Sequence, residues 1–187
     1  MRKLLFALAV VTTIAAPSAL AQVAIDPVVA DGLAFMREEE KLAHDVYALF
    51  GLMYVDQHPG SNVFARIAAS EQRHTDAVLD LLVSYGLPDP AYAEPGVFRD
   101  PELQALYDTL VAVGSEGLTQ ALGVGVVIEQ KDMEDIVEAI ELSLGYEDIV
   151  QVYSNLLAAS ENHLQAFLKV LDDGEVESAL AGGGKVK

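Results

Sequence analysis

IAASEQRHTDAV, residues 67–78, places Glu71 and His74 three residues apart inside a row of apolar side chains. Extended both ways, the row reads Phe64, Ile67, Glu71, His74, Val78, Leu81 and Tyr85. Steps of three and four residues put all of these on one face of a helix. The helix is expected to start at Ser61 or Asn62, either of which can cap its first amides. It should run to Tyr85, where Gly86 and Pro88 stop it. An acid buried without a partner is costly. Taken alone, then, Glu71 and His74 read most simply as part of a solvated face. The same Glu-x-x-His spacing also lets a carboxylate and an imidazole, one turn apart, reach a single metal ion.

The pattern recurs on both sides. Upstream, a segment from Pro27 to Tyr54 carries Leu33, Met36, Glu40, Ala43, Tyr47 and Phe50 on one face, and Glu40 is the charged intruder. Downstream, Glu116 to Leu144 aligns Leu118, Ala121, Leu122, Gly125, Glu129, Asp132, Ile136 and Ile140, with Glu129 and Asp132 at the middle. A last segment, Tyr146 to about Asp172, aligns Tyr153, Leu156, Ser160, His163, Phe167 and Val170 around His163. Short polar or glycine turns, Asp56–Gly60 and Gly145, join these segments in pairs. A Pro-rich stretch, Leu87 to Ser115, links the pairs and holds one short helix from Pro101 to Val113, with Asp100 as its cap. No alternating strand pattern competes. The expected fold is all-α: a four-helix bundle over residues 27–173, wound as two hairpins with a long crossover that contains a short extra helix. Residues 174–187, with glycines at 182–184, are expected to be unstructured.

Residues 1–21 begin with Arg2 and Lys3, continue through an apolar run from Leu4 to Ala16, and exit at Ala19-Leu20-Ala21. This is the pattern of a secretory signal peptide cleaved before Gln22, and its apolar run is too short to span a bilayer. The expected location is periplasmic or secreted, without membrane insertion. The chain has no cysteine, which excludes disulfides and thiolate ligands. Eleven basic residues against 29 acidic ones give a net charge of −18, which becomes −20 when Arg2 and Lys3 leave with the leader. Such a surface repels nucleic acid and anionic membranes and concentrates cations.

The inward polar residues of all four long segments fall near the segment midpoints. In an antiparallel bundle the midpoints share one height, where carboxylates would repel one another unless cations bridged them. Glu40, Glu71, His74, Glu129 and His163, with Asp132 as an accessory, are therefore the candidate metal ligands. Carboxylates with imidazoles and no thiolate favour iron, with manganese or zinc as alternatives. Glu40 or Glu129 suits a bridging role. Tyr47 can hydrogen-bond a ligand, relay an electron or simply fill the core.

The runs MREEEKLAHDVY (36–47), IAASEQRHTDAV (67–78), PELQALYDTL (101–110), IEQKDMEDI (128–136) and NLLAASENHLQAF (155–167) resemble the ferritin-like domain of unknown function 2202. More broadly, the pattern resembles the ferritin and rubrerythrin superfamily. That resemblance implies a di-iron carboxylate centre with a second Glu-x-x-His on the last helix. Here the matching position is Ser160, and Glu161 lies about 100° away around the helix. The implied activity is an iron-handling oxidoreductase that oxidises Fe²⁺ with dioxygen or peroxide, its electrons supplied by an outside reductant or by iron itself. The alternatives are a periplasmic metal buffer without turnover, or a metal-free interaction bundle whose acids pair with buried arginines. The oligomeric state is not fixed by the sequence, a homodimer included.

Overall fold

The computed structural model describes residues 25–57 and 62–182, with side chains described at 25–57 and 63–174. The leader expected at residues 1–21, together with Ser61 and the loop around His58, lies outside the described residues. Five helices make up the described fold, and it contains no strand: α1 (Pro27–Met53), α2 (Asn62–Ser84), α3 (Pro101–Gly114), α4 (Leu118–Leu142) and α5 (Glu147–Gly182). Helix α5 runs about ten residues past the end expected from periodicity and so extends into the segment expected to be unstructured.

Local chemistry sets the helix ends. The Asp26 carboxylate accepts from the Val28 amide at 2.8 Å, with Pro27 at the first helical position of α1. Asp100 caps α3 by accepting from the Glu102 and Leu103 amides. α2 closes on Gly86 at φ +69°, where the Leu87 amide returns to the Leu82 carbonyl at 2.8 Å and the Gly86 amide to Val83 at 3.1 Å. Only glycine holds that left-handed conformation without cost.

Helix α1 packs mainly on α2 and α4 mainly on α5, while α1–α4 and α2–α5 contacts close the square. α3 lies across α4 and α1. The charged run Arg37 to Asp45 fastens the crossover to α1. Glu38 accepts from the Arg99 amide at 2.5 Å and the Asp100 amide at 3.1 Å. Arg37 pairs with Asp89 at 3.1 Å. Lys41 pairs with Asp45 at 2.5 Å and donates to the Glu94 carbonyl at 3.0 Å.

Inside the square lie two apolar clusters. One is aromatic, centred on Tyr47, Phe50, Phe64 and Phe167; the other contains Leu33, Met36, Val78, Ile136, Ile149 and Tyr153. Each fully buried aromatic or aliphatic side chain contributes about 1.5–3 kcal/mol. The two clusters are interrupted at mid-height by buried polar residues. The aromatic cluster depends on Gly125, where an added Cβ would come within 2.7 Å of the Phe167 ring. Gly125→Ala is therefore expected to cost about 1–3 kcal/mol, read as a lower urea midpoint with an unchanged slope. An unchanged midpoint would mean that α4 and α5 are free to separate at that point.

Candidate metal centre

The polar layer is built from one turn near the middle of each long helix. α1 supplies Glu40, α2 supplies Glu71 and His74, α4 supplies Glu129 and Asp132, and α5 supplies Ser160 and His163, all of them buried. The stripes that bury Leu33 and Phe50, or Val78 and Phe64, also force the residues between them inward, because a helix cannot turn one position out without turning its neighbours.

Ligand atoms converge in two groups: Glu40, Glu71 and His74, and Glu71, Glu129 and His163, with the atoms of each group within 4.8 Å of one another. Glu71 belongs to both. Its Oε2 lies 2.7 Å from His74 Nδ1 and its Oε1 lies 2.7 Å from His163 Nδ1. The sequence favoured Glu40 or Glu129 as the bridge, and the geometry gives the shared position to Glu71 instead. The Tyr47 hydroxyl donates to Glu129 Oε1 at 2.7 Å, which engages one of that carboxylate's oxygens. Both Glu71 oxygens remain turned to different imidazoles, whose rings stack 5.5 Å apart.

Protons alone do not satisfy this layer. His74 Nδ1 carries at most one hydrogen, yet it faces Glu71 at 2.7 Å and Glu40 at 3.1 Å. His163 Nδ1 faces Glu71 at 2.7 Å and Glu129 at 3.5 Å. Glu40 Oε1 and Asp132 Oδ1 are buried without a hydrogen-bond partner. Nor do arginines neutralise the acids: Arg37 pairs with Asp89, Arg99 donates to the Pro90 carbonyl, and Arg73 donates to Ala69 and Ser70 on its own helix. Buried oxygens and imidazole nitrogens aimed at common points, with their charge left over, fit divalent cations.

Electrostatics follow the same geometry. Burial raises Glu40 well above the usual carboxylate range, and the charges of Asp132 and Glu71 add to the rise. Burial raises Asp132 too, against a Ser160 hydroxyl that donates to it at 2.6 Å. Burial raises Glu129, opposed by His163 and Tyr47. Burial also opposes ionisation of Glu71, but His163 and His74 outweigh it and bring the group to about 2. For His163, burial is outweighed by Glu129 and Glu71, which push it up to about 9.

At pH 7 the metal-free layer thus holds protons that an entering cation must displace. Binding is expected to release at least one proton per chain, and affinity should rise with pH until His163 is neutral near 9. Titration calorimetry in buffers of different ionisation enthalpy measures that release. Heat independent of the buffer would place the ligand atoms elsewhere.

Of the residues singled out from the sequence, Glu40, Glu71, His74, Glu129 and His163 come together in the two groups. Asp132 reaches the layer but joins neither group, being held by Ser160. Tyr47 touches Glu129 rather than standing apart in the core. His44 pairs with Asp45 at 2.9 Å, outside the layer. Glu39, which no periodicity singled out, is buried beside Asp132 and Asp135. Its position next to Glu40 places it off the apolar stripe, and α4 together with Leu106 of α3 covers it.

Comparison with known proteins agrees with this fold. Residues 29–179 match the model of an uncharacterized protein domain, DUF2202. The uncharacterized protein MJ0754 of Methanocaldococcus jannaschii is 42% identical over 144 residues, spanning 76% of this chain and 75% of the relative. The crystal structure of that hypothetical protein superimposes with a TM-score of 0.75 at 40% identity, over 84% of this chain and 87% of that one. More distantly, the Mycobacterium tuberculosis bacterioferritin BfrA superimposes with a TM-score of 0.62 at 16% identity, over 79% of this chain and 86% of that one. A mycobacterial bacterioferritin gives 0.60 at 18%, over 80% and 88%. These last two likenesses concern the fold.

Proposed function

The chain belongs to the DUF2202 family and has the ferritin-like fold; from that premise we propose that it is an exported metal-dependent oxidoreductase that oxidises Fe²⁺ with dioxygen or peroxide. The observation that carries the reading is Glu71, shared by two buried ligand groups. Two neighbouring redox-active ions, iron in preference to manganese or zinc, would supply together the electrons that an O–O bond takes up. In that reading two Fe²⁺ each lose one electron. Dioxygen takes both with two protons and leaves as hydrogen peroxide, or peroxide takes them with two protons and leaves as water.

The chain's own residues prepare that exchange. Glu40 with His74, and Glu129 with His163, form the two sides, and Glu71 ties them at a fixed spacing. Tyr47 fixes the orientation of Glu129 by its 2.7 Å hydrogen bond. His163, pushed up to about 9, and the raised carboxyls of Glu40 and Asp132 hold protons within the layer. The apolar clusters above and below exclude bulk water.

The test is to load the purified protein anaerobically with Fe²⁺ and measure iron per chain, in wild type and in Glu71→Ala with His74→Ala. Two irons per chain, lost in the variant, and a rapid optical change when air is admitted are expected. A wild type that binds no iron, manganese or zinc would sink the proposal. Export is tested separately: N-terminal sequencing of the protein from the periplasm or medium should begin at Gln22.

A buffer without turnover is the second reading, favoured by Ser160 at the position where a fourth-helix carboxylate is otherwise implied. Fe²⁺ bound without oxygen consumption would select it.

A further inference from the structure

The second turn of α1 carries a glycine that no neighbour requires. A Cβ added at Gly32 would meet nothing within 4 Å, and its φ is not positive, whereas at Gly125 the same atom would strike the Phe167 ring. Glycine inside a helix is less stable than alanine. Neither close packing nor backbone conformation explains it at Gly32.

What Gly32 does is open the wall of a cavity of about 330 Å³, between the first turns of α1 and the last turn of α4. Small-molecule sites have volumes of this order. Phe35, Met36, Ala139 and Leu142 give the cavity apolar sides, and Phe35 and Leu142 are 38% and 50% exposed. Two hydroxyl-bearing residues also line it, Tyr153 and Ser143, which are 1% and 2% exposed. Neither hydroxyl makes a hydrogen bond among the described residues. Buried hydroxyls ordinarily have a partner, and here the cavity is the side from which one can come.

The charge around the cavity has one sign. Asp31, Asp135 and Glu138 stand in its wall, and no Lys, Arg or His does. Lys131 engages Asp135, which leaves Asp31 and Glu138, both exposed and without an ion pair among the described residues. The last turn of α4 adds the partial negative charge of a helix C-terminus, while Asp26 covers the opposite charge at the start of α1 by accepting from Val28. An anion is repelled. A second copy of this chain, at net −18, would bring more charge of the same sign. A bare metal ion gains nothing from apolar sides, whereas a cation with an apolar body matches both the sides and the acids.

We propose that this cavity binds a small aromatic amine in its ammonium form, the ring against Phe35, Met36 and Leu142 and the ammonium at Asp31 and Glu138. Aromatic rings attract other rings and cations over their faces, and Phe35 and Tyr153 offer such faces. The site does not rest on the proposed function. Its inner wall nevertheless borders the polar layer: Met36 stands one turn before Glu40 on α1, and Tyr153 feels the charges of Glu40 and Glu39. A bound amine covers the layer on that side.

Phenethylammonium at low salt is the probe, followed by titration calorimetry and by the methyl resonance of Met36. Saturable binding that shifts this resonance is expected, with 2-phenylethanol about fivefold weaker and phenylacetate weaker still. Gly32→Leu should abolish binding. Leucine fills open space and replaces a helical glycine, so the variant should melt no lower than wild type. Asp31→Asn with Glu138→Gln should weaken the amine about fivefold and leave the alcohol unchanged. No saturable binding of the amine, or binding that persists in Gly32→Leu, would overturn the site. Equal binding of amine, alcohol and phenylacetate, or an amide variant that binds the amine as wild type does, would refute the ligand class. A Gly32→Leu variant that melts well below wild type would mean that the space is not open, which also sinks the proposal. A dimer in sedimentation that Gly32→Leu dissociates would give the cavity to a second copy instead.

Discussion

Glu71→Ala is expected to empty both halves of the centre at once, whereas Glu40→Ala or Glu129→Ala should weaken mainly one. Glu71 is the only carboxylate in both ligand groups found among the described residues, with one oxygen 2.7 Å from His74 and the other 2.7 Å from His163. Even residues that merely orient a ligand change metal affinity by about 10–100-fold. A shared ligand should change it by roughly 100-fold or more at each ion. Metal analysis after dialysis against a fixed free-metal concentration measures this. Equal losses in all three variants would remove Glu71 from its shared position. The metal-free variant carries a second signature. The carboxylate held at about 2 between two imidazoles is a buried partner, and removing one side of a buried pair costs about 3–5 kcal/mol. A urea midpoint equal to that of wild type would show that the imidazoles find other partners.

Removal of the metal is expected to lower the melting temperature by on the order of 10 °C per site. A ligand at a free concentration of 1,000 times its dissociation constant stabilises the folded state by about 4 kcal/mol. A domain of this size shifts by about 2–4 °C for each kcal/mol. The pH slopes should also be opposite. Glu39, Glu40 and Asp132 sit above their ordinary range because burial disfavours their charge. His163 sits at about 9 rather than 6.5. A group raised in the folded state contributes stability that is complete below its unfolded value and is lost as pH rises through the folded one. The metal-free chain should therefore weaken from about pH 4.5 upward, with the His163 share lost between 6.5 and 9. The loaded chain should strengthen over the same interval, because its ligands bind only when deprotonated. Calorimetric scans at several pH values, with and without chelator, test both statements. Parallel slopes would mean that the cation binds away from these groups.

How much could be read in advance differs from residue to residue. Leu33, Met36 and Phe50 announce the buried face of α1 by their spacing, and Glu40 is caught because it falls on that face. Glu38, Glu39 and Lys41 fall off it and would pass as a solvated run. They are buried because the crossover and α4 cover them. Those partners lie about 50–90 positions away in the chain, a separation that no local period reports. Tyr47 was legible as an inward residue but not as the donor to Glu129, since a repeat fixes which face a side chain occupies and not which atom it meets.

The sequence by itself determined the four long helices, the Asp100 cap of α3, the pairing into hairpins and the height of the polar layer, though not the far end of α5. These follow from the 3.6-residue period, from side chains that bond amides within one turn, and from the need to bury a continuous stripe. Only the tertiary structure decided that Glu71 is the shared carboxylate, that Ser160 holds Asp132, and that Glu39 meets Asp135. Each of those depends on the rotation of one helix against another and on which side-chain orientation the packed neighbours leave open.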